Sequence, residues 1–370
     1  MARLDTSLLR MLPLAERRNK LRIEEIAVLP DARPPSVPER QREQIRRCAE
    51  RMRQARANGR PLMLTYGAHL IKNGLGPILG HMVETEWLTH LATNGAGSIH
   101  DWEFAFQGMS AEDVRENTAQ GRFGTWDETG RFINLAIAAG GVSGLGYGAA
   151  VGKLIHDDGL VIPSPEELRT AMAGALASAT GQGNLGAQAD LLEMIENHGL
   201  APGRQHIAHP WKRFSVQCAA YEHGVPLTVH PGIGYDIIYT HPLASGGPIG
   251  RGAMLDFLTY AEGVSRLTGG VHIVVGSSVM APMIFEKALS MANNIAINTG
   301  QPTVHDHYLV VVDIQDGGDW DWSRGEPPMD NPAYYLRFCK TFYRMGGTLD
   351  YICMDNVAFL PALLHELLCT

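Results

Sequence analysis

The chain has 370 residues, 45% of them hydrophobic and 19% charged, with a formal net charge of −8. That length supports a deep core in one large or two ordinary domains, and the low charge excludes general disorder. With no basic face beyond the N-terminal segment, the acidic balance argues against a nucleic-acid partner and mildly favours a cationic small molecule.

In chain order, residues 1–58 read as an N-terminal extension. It contains a proline-rich linker at Pro30–Pro35 and a surface helix over about 39–58. Residues 59–370 read as a single α/β domain. Pro61–Tyr66 is a short apolar run of the kind a buried parallel strand shows, followed by Gly67 and a helix at about 76–86. Leu88–Thr93 repeats the pattern, with a glycine-rich turn at Asn94–Ser98 and a helix from about 99. Helix 211–223 precedes the strand Val225–Val229, helix 251–268 precedes the strand Val271–Val275, and helix 280–292 precedes a further strand at Asn294–Asn298. Leu349–Cys353 reads as the last strand, and 359–368 as the closing helix. Alternating strands and helices with small residues at the strand ends predict a doubly wound, mostly parallel sheet flanked by helices. Ligands in such sheets bind beyond the carboxyl ends of the strands.

No run reaches the roughly 18 uninterrupted apolar residues of a transmembrane helix. Ile133–Val151 comes nearest, and its glycines mark a buried or loop-containing segment. The N-terminus shows no secretory signal. The five cysteines form no C-x-x-C pair and read as free thiols of a reducing cytoplasm. His305–Asp306–His307 would put two rings on one face if it were a strand. No third ligand follows at a useful spacing, so no metal site is expected.

The turn Thr93–Asn94–Gly95–Ala96–Gly97 is the expected cofactor mouth. Small residues let a phosphate approach the backbone, and the following helix offers N–H donors and a positive dipole end. His100 and Asp101 are expected to face the same mouth. It is not a complete G-x-G-x-x-G, and a tight structural turn is the competing reading. The loop Asp313–Trp322 offers Asp316, Asp319 and Trp320, carboxylates beside an aromatic face that suit an ammonium by ion pairing and cation–π contact, against the reading of a solvated acidic loop.

These segments, in order over roughly residues 60–368, resemble the deoxyhypusine synthase family. Tyr66–Gly74 is similar to the stretch that opens that family's NAD site, and Thr93–Asp101 to its Thr-Ala-Gly-Gly-Val-Glu-Glu-Asp turn. Gly234–His241 is similar to Gly-Asp-Met-Ile-Phe-Phe-His, Ile297–Gln301 to Ile-Asn-Thr-Ala-Gln, and Met354–Leu363 to the Asp-Ala segment that touches NAD. The resemblance implies NAD contacts at Gly276, Asn298, Thr299, Asp355 and Asn356, and an amine contact at Asp236. Pro332 and Lys340 keep the family's spacing from a proline to a nucleophilic lysine, which implies Lys340 as a Schiff-base former. The family's catalytic His is missing: Gly276–Pro282 replaces a Gly-Gly-Gly turn followed by Lys-His-His. The expectation is therefore an NAD-dependent enzyme that oxidises a small amine donor and transfers the product through a lysine imine, in a homotetramer. A non-catalytic NAD-binding protein and a sirtuin-like NAD-consuming enzyme are the alternatives.

Overall fold

The computed structural model describes residues 4–177 and 184–369. Its centre is a six-stranded, fully parallel sheet: β1 (Leu62–Tyr66), β2 (His90–Thr93), β3 (Leu227–Val229), β4 (Val271–Val275), β5 (Tyr308–Asp313) and β6 (Thr348–Cys353). The spatial order is β6-β5-β4-β1-β2-β3. This is the doubly wound architecture expected from the sequence.

Side chains alternate with the period of two that a pleated strand imposes. Leu62, Leu64, Tyr66, Leu91, Ile273 and Val310 enter one core; Met63, Ala92, Val274, Leu309 and Val311 enter the other. The first core is covered by α1 (Glu39–Ala57), α2 (Gly76–Glu84), α3 (Gly95–Gln107), α5 (Tyr147–His156) and α9 (Asn356–Leu368). The second lies under α6 (Gly246–Ser265), α7 (Met280–Asn298) and α8 (Arg337–Arg344). Burial on both faces explains why the strands read as apolar runs.

The chain winds outward from β1 to β3, crosses back through α6, and winds the other way from β4 to β6. The switch point is the pair β1 and β4, whose carboxyl ends carry Gly67 and Gly276. A Cβ on Gly67 would stand 2.1 Å from the Gly276 carbonyl oxygen, so the two turns touch backbone to backbone.

Two readings change, and a third is filled in. Asn294–Asn298 is the last part of α7, not a strand. Ile295 and Ile297 point outward there, and the strand of this unit is Tyr308–Asp313. His305–Asp306–His307 is not a strand: Asp306 has φ +52, which leaves His305 exposed and His307 buried, so the two rings do not share a face. Ile133–Val151 forms parts of α4 (Asp127–Val142) and α5, which meet at 109°. No single helix among the described residues is long and apolar enough to cross a membrane.

Within residues 4–58, several segments pack onto the fold. Leu21–Arg22 pairs antiparallel with Met109–Ser110, Val28 N–H donates to the Gly74 carbonyl, and Arg17 is buried.

Candidate functional site

Asn94 ends β2 and caps α3, its side chain accepting from the Gly97 N–H at 2.9 Å. The two glycines after it serve the protein's own packing. A Cβ on Gly97 would stand 2.1 Å from Thr93 Oγ1, and one on Gly95 would stand 2.2 Å from a carboxylate oxygen of Asp236. Thr93 itself is buried, its hydroxyl donating to the Tyr66 carbonyl. The start of α3 thus already faces an anion, the Asp236 carboxylate, toward which the Ala96 N–H donates.

Asp236 lines a cavity of about 200 Å³ with Arg17, Lys72, Ala96, His100, Glu103 and Tyr235 among its walls. Burial pushes the Asp236 carboxyl up to about 6, opposed by the Ala96 N–H. Its Oδ2 is buried with no hydrogen-bond partner, and the same holds for the hydroxyls of Tyr147 and Tyr239. Burial raises both phenols, and the charge of Asp236 adds to it, although neither tyrosine lines the cavity.

Tyr147 is set by the residue beneath it. Asp256 of α6 accepts from the N–H of Gly148, at the start of α5, at 2.9 Å, and from the N–H of Val229, at the end of β3, at 2.7 Å. Burial raises this carboxyl to about 7 against those two donors. The opposite wall is a charged network. Arg17 donates to both oxygens of Glu103, at 2.6 and 2.7 Å, and Ser110 and Thr129 donate to the same carboxylate. Burial alone would raise Glu103, but the Arg17 guanidinium brings it below the usual carboxylate range.

The remaining expected residues fall in different places. Asp101 does not face this cavity. Its carboxylate accepts from Ser215 Oγ and from the N–H groups of Val216 and Gln217, capping the short helix Val216–Glu222. The physical reason is helical geometry: consecutive residues point about 100° apart, so His100 and Asp101 cannot share a mouth. Asn298 and Thr299 end α7, roughly 28 Å along its axis from the strand ends, since a 19-residue helix rises about 1.5 Å per residue. Asp355 caps α9 by accepting from the Val357 N–H, and Asn356 accepts from Asn73, which ties that segment to the turn after β1.

Lys340 lies on α8 with its ammonium 3.5 Å from the centroid of the Tyr334 ring, a cation–π contact, and is not among the residues lining the Asp236 cavity. In the acidic loop, Asp319 pairs with Arg40, Asp316 accepts from the Gly318 N–H, and Trp320 donates to the Gly325 carbonyl beneath the Arg324 guanidinium. Asp319 and the Trp320 face thus meet cations of the chain itself, and Asp316 meets a backbone N–H.

Gly276 differs from Gly67, Gly95 and Gly97. It has φ +59, a Cβ there would meet open space, and it leads into α7, a long helix whose N-cap residue Val279 offers no side-chain cap. The first N–H groups of α7 therefore lack an intrahelical partner at the switch point, the arrangement that receives a phosphate.

No family model matches the chain. No curated protein matches it either. Among solved structures, a LOR/SDH protein from Methanococcus maripaludis S2 is 14% identical over 92% of this chain and 73% of its own, with a TM-score of 0.42. AgrE, solved as a ternary complex with ornithine and NAD+, is 13% identical with a TM-score of 0.41. ArgZ, an arginine dihydrolase from the ornithine-ammonia cycle in cyanobacteria, is 15% identical with a TM-score of 0.39. The chain spans about a third of the length of the last two, 34% and 32%. These likenesses are distant, and nothing about this chain's chemistry follows from them.

Proposed function

We propose that the chain is an NAD-dependent enzyme that oxidises a small molecule bearing a primary ammonium. The observation that supports it is the buried Asp236 carboxylate, its Oδ2 without a hydrogen-bond partner, in the wall of a cavity of about 200 Å³. An unsatisfied buried acceptor costs about 1–3 kcal/mol, and an ammonium, with three N–H donors, relieves it. A cavity of about 200 Å³ suits a ligand of amino-acid or diamine size.

NAD, when bound, accepts a hydride. The residues that would hold it are Gly276 to Val279 and the start of α7, with Asn94 and Asn356 on the flanking turns. Asp236 binds and orients the ammonium, and the Arg17–Glu103 ion pair forms part of the same cavity's wall. Lys340 has no step in this reading. An oligomer with sites between subunits belongs to the deoxyhypusine synthase resemblance.

The test is direct. Purified protein is titrated with NAD by intrinsic fluorescence, and NADH formation is followed over a panel of diamines and diamino acids. Saturable NAD binding with amine-dependent NADH supports the reading. NAD binding without turnover on any amine leaves a non-catalytic NAD-binding protein, and no NAD binding sinks the proposal.

A further inference from the structure

The wall opposite Asp236 contains an imidazole whose proton is placed by its neighbours. Glu103 is an ion-paired carboxylate, so it only accepts. Its Oε2 receives the Ser110 hydroxyl at 2.5 Å, which uses the one proton Ser110 has. Ser110 Oγ also lies 2.7 Å from His100 Nδ1. That contact requires Nδ1 to donate, and the ring's other nitrogen then carries the lone pair. His100 lines the same cavity as Asp236, and its Nε2 is not among the buried unpartnered atoms.

We propose that His100 is the general base of this site: Nε2 takes one proton from the substrate ammonium held at Asp236, with Ser110 and Glu103 as positioning residues that fix the tautomer. The inference rests on reading the cavity as an amine site. An ammonium has no lone pair with which to expel hydride; the free amine does. The step balances: R–CH2–NH3+ gives a proton to His100, and the C–H electron pair leaves as hydride to the nicotinamide cofactor. The nitrogen lone pair forms C=N, giving R–CH=NH2+, NADH and protonated His100.

Burial depresses the His100 imidazolium to about 4. The Glu103 charge opposes that, and Lys72, Arg17 and His69 add to the depression, so the ring is neutral near pH 7 with its lone pair free; the ammonium must surrender its proton against this bias, which Glu103 partly offsets. Ser110 is held in turn by its antiparallel pairing with Leu21.

The experiment uses the full chain. 15N-histidine NMR reports the His100 tautomer; Nδ1–H is expected, shifting toward a mixture in Ser110→Ala. Diethyl pyrocarbonate should modify His100 at Nε2, with putrescine protecting it. In turnover, His100→Asn should lower kcat about a hundredfold or more, leave KM within a few-fold, and be partly restored by added imidazole. An Nε2–H tautomer overturns the proposal, as does full turnover in His100→Asn. If no amine reduces NAD, the functional reading fails; the tautomer and the modification then decide alone whether His100 presents a base.

Discussion

Asp236 is held at the positive end of α3, over Gly95, with one buried oxygen lacking a hydrogen-bond partner. Asp236→Asn should weaken putrescine binding by about 1.5–3 kcal/mol, roughly ten- to a hundredfold, while the fold persists. The pH dependence follows from burial raising this carboxyl to about 6. Amine affinity should be full above that pH and fall as pH drops through it, which calorimetric titration across pH would register. A flat profile between pH 5 and 8 would mean the carboxylate is not the anchor. Asp236 was legible in the sequence through its resemblance segment. Arg17 was not, because it reaches the cavity from a segment with no motif of its own. Asp101 was misplaced because adjacency in sequence was taken for adjacency in a cavity.

At the scale of elements, two glycines bear different loads. Gly95→Ala puts a methyl where the Asp236 carboxylate sits. Because that side chain can swing, a modest loss of about 1 kcal/mol in stability with a clear loss of amine binding is expected. Gly67→Ala meets a backbone carbonyl that cannot swing, and should cost about 3 kcal/mol or more in chemical denaturation without a specific binding defect. Equal effects of the two substitutions would contradict this division. Most strands were legible as apolar runs between glycines. The strand misplaced at Asn294–Asn298 shows the limit of that signal: an Ile-Ala-Ile alternation is the same whether its side chains enter a sheet core or stand exposed on the end of a helix. Gly95 and Gly97 were legible as a turn, but not which atoms their missing side chains admit.

For the whole molecule, Arg17 ties the N-terminal segment to the cavity wall. Arg17→Met leaves Glu103 buried without its partner and should cost about 3–5 kcal/mol in thermal or denaturant unfolding. Stability should also depend on acid in a defined window. His90, His230 and His272 are depressed to about 3 by burial, and His100 and His209 to about 4. Their unfolded counterparts take up protons below about 6.5, so this stability is present above that pH and is lost as pH falls toward 4. Asp236 and Asp256, raised to about 6 and about 7, act the other way, favouring the folded state as pH drops. Five histidines against two carboxyls predict a net fall in Tm from pH 6.5 to 4, measurable by calorimetry. His272→Asn should make that fall shallower.

The switch-point pair also sets a timetable. β1 finds β2 within a few dozen residues, but its other edge belongs to β4, roughly two hundred residues later in the chain. On a ribosome adding about 5–20 residues per second, that edge waits ten seconds or more with its backbone unpaired. The central strand of the finished protein is thus its most vulnerable segment during synthesis. Destabilising substitutions in β4 should therefore show up as aggregation of nascent chains sooner than as a loss of activity in the folded fraction.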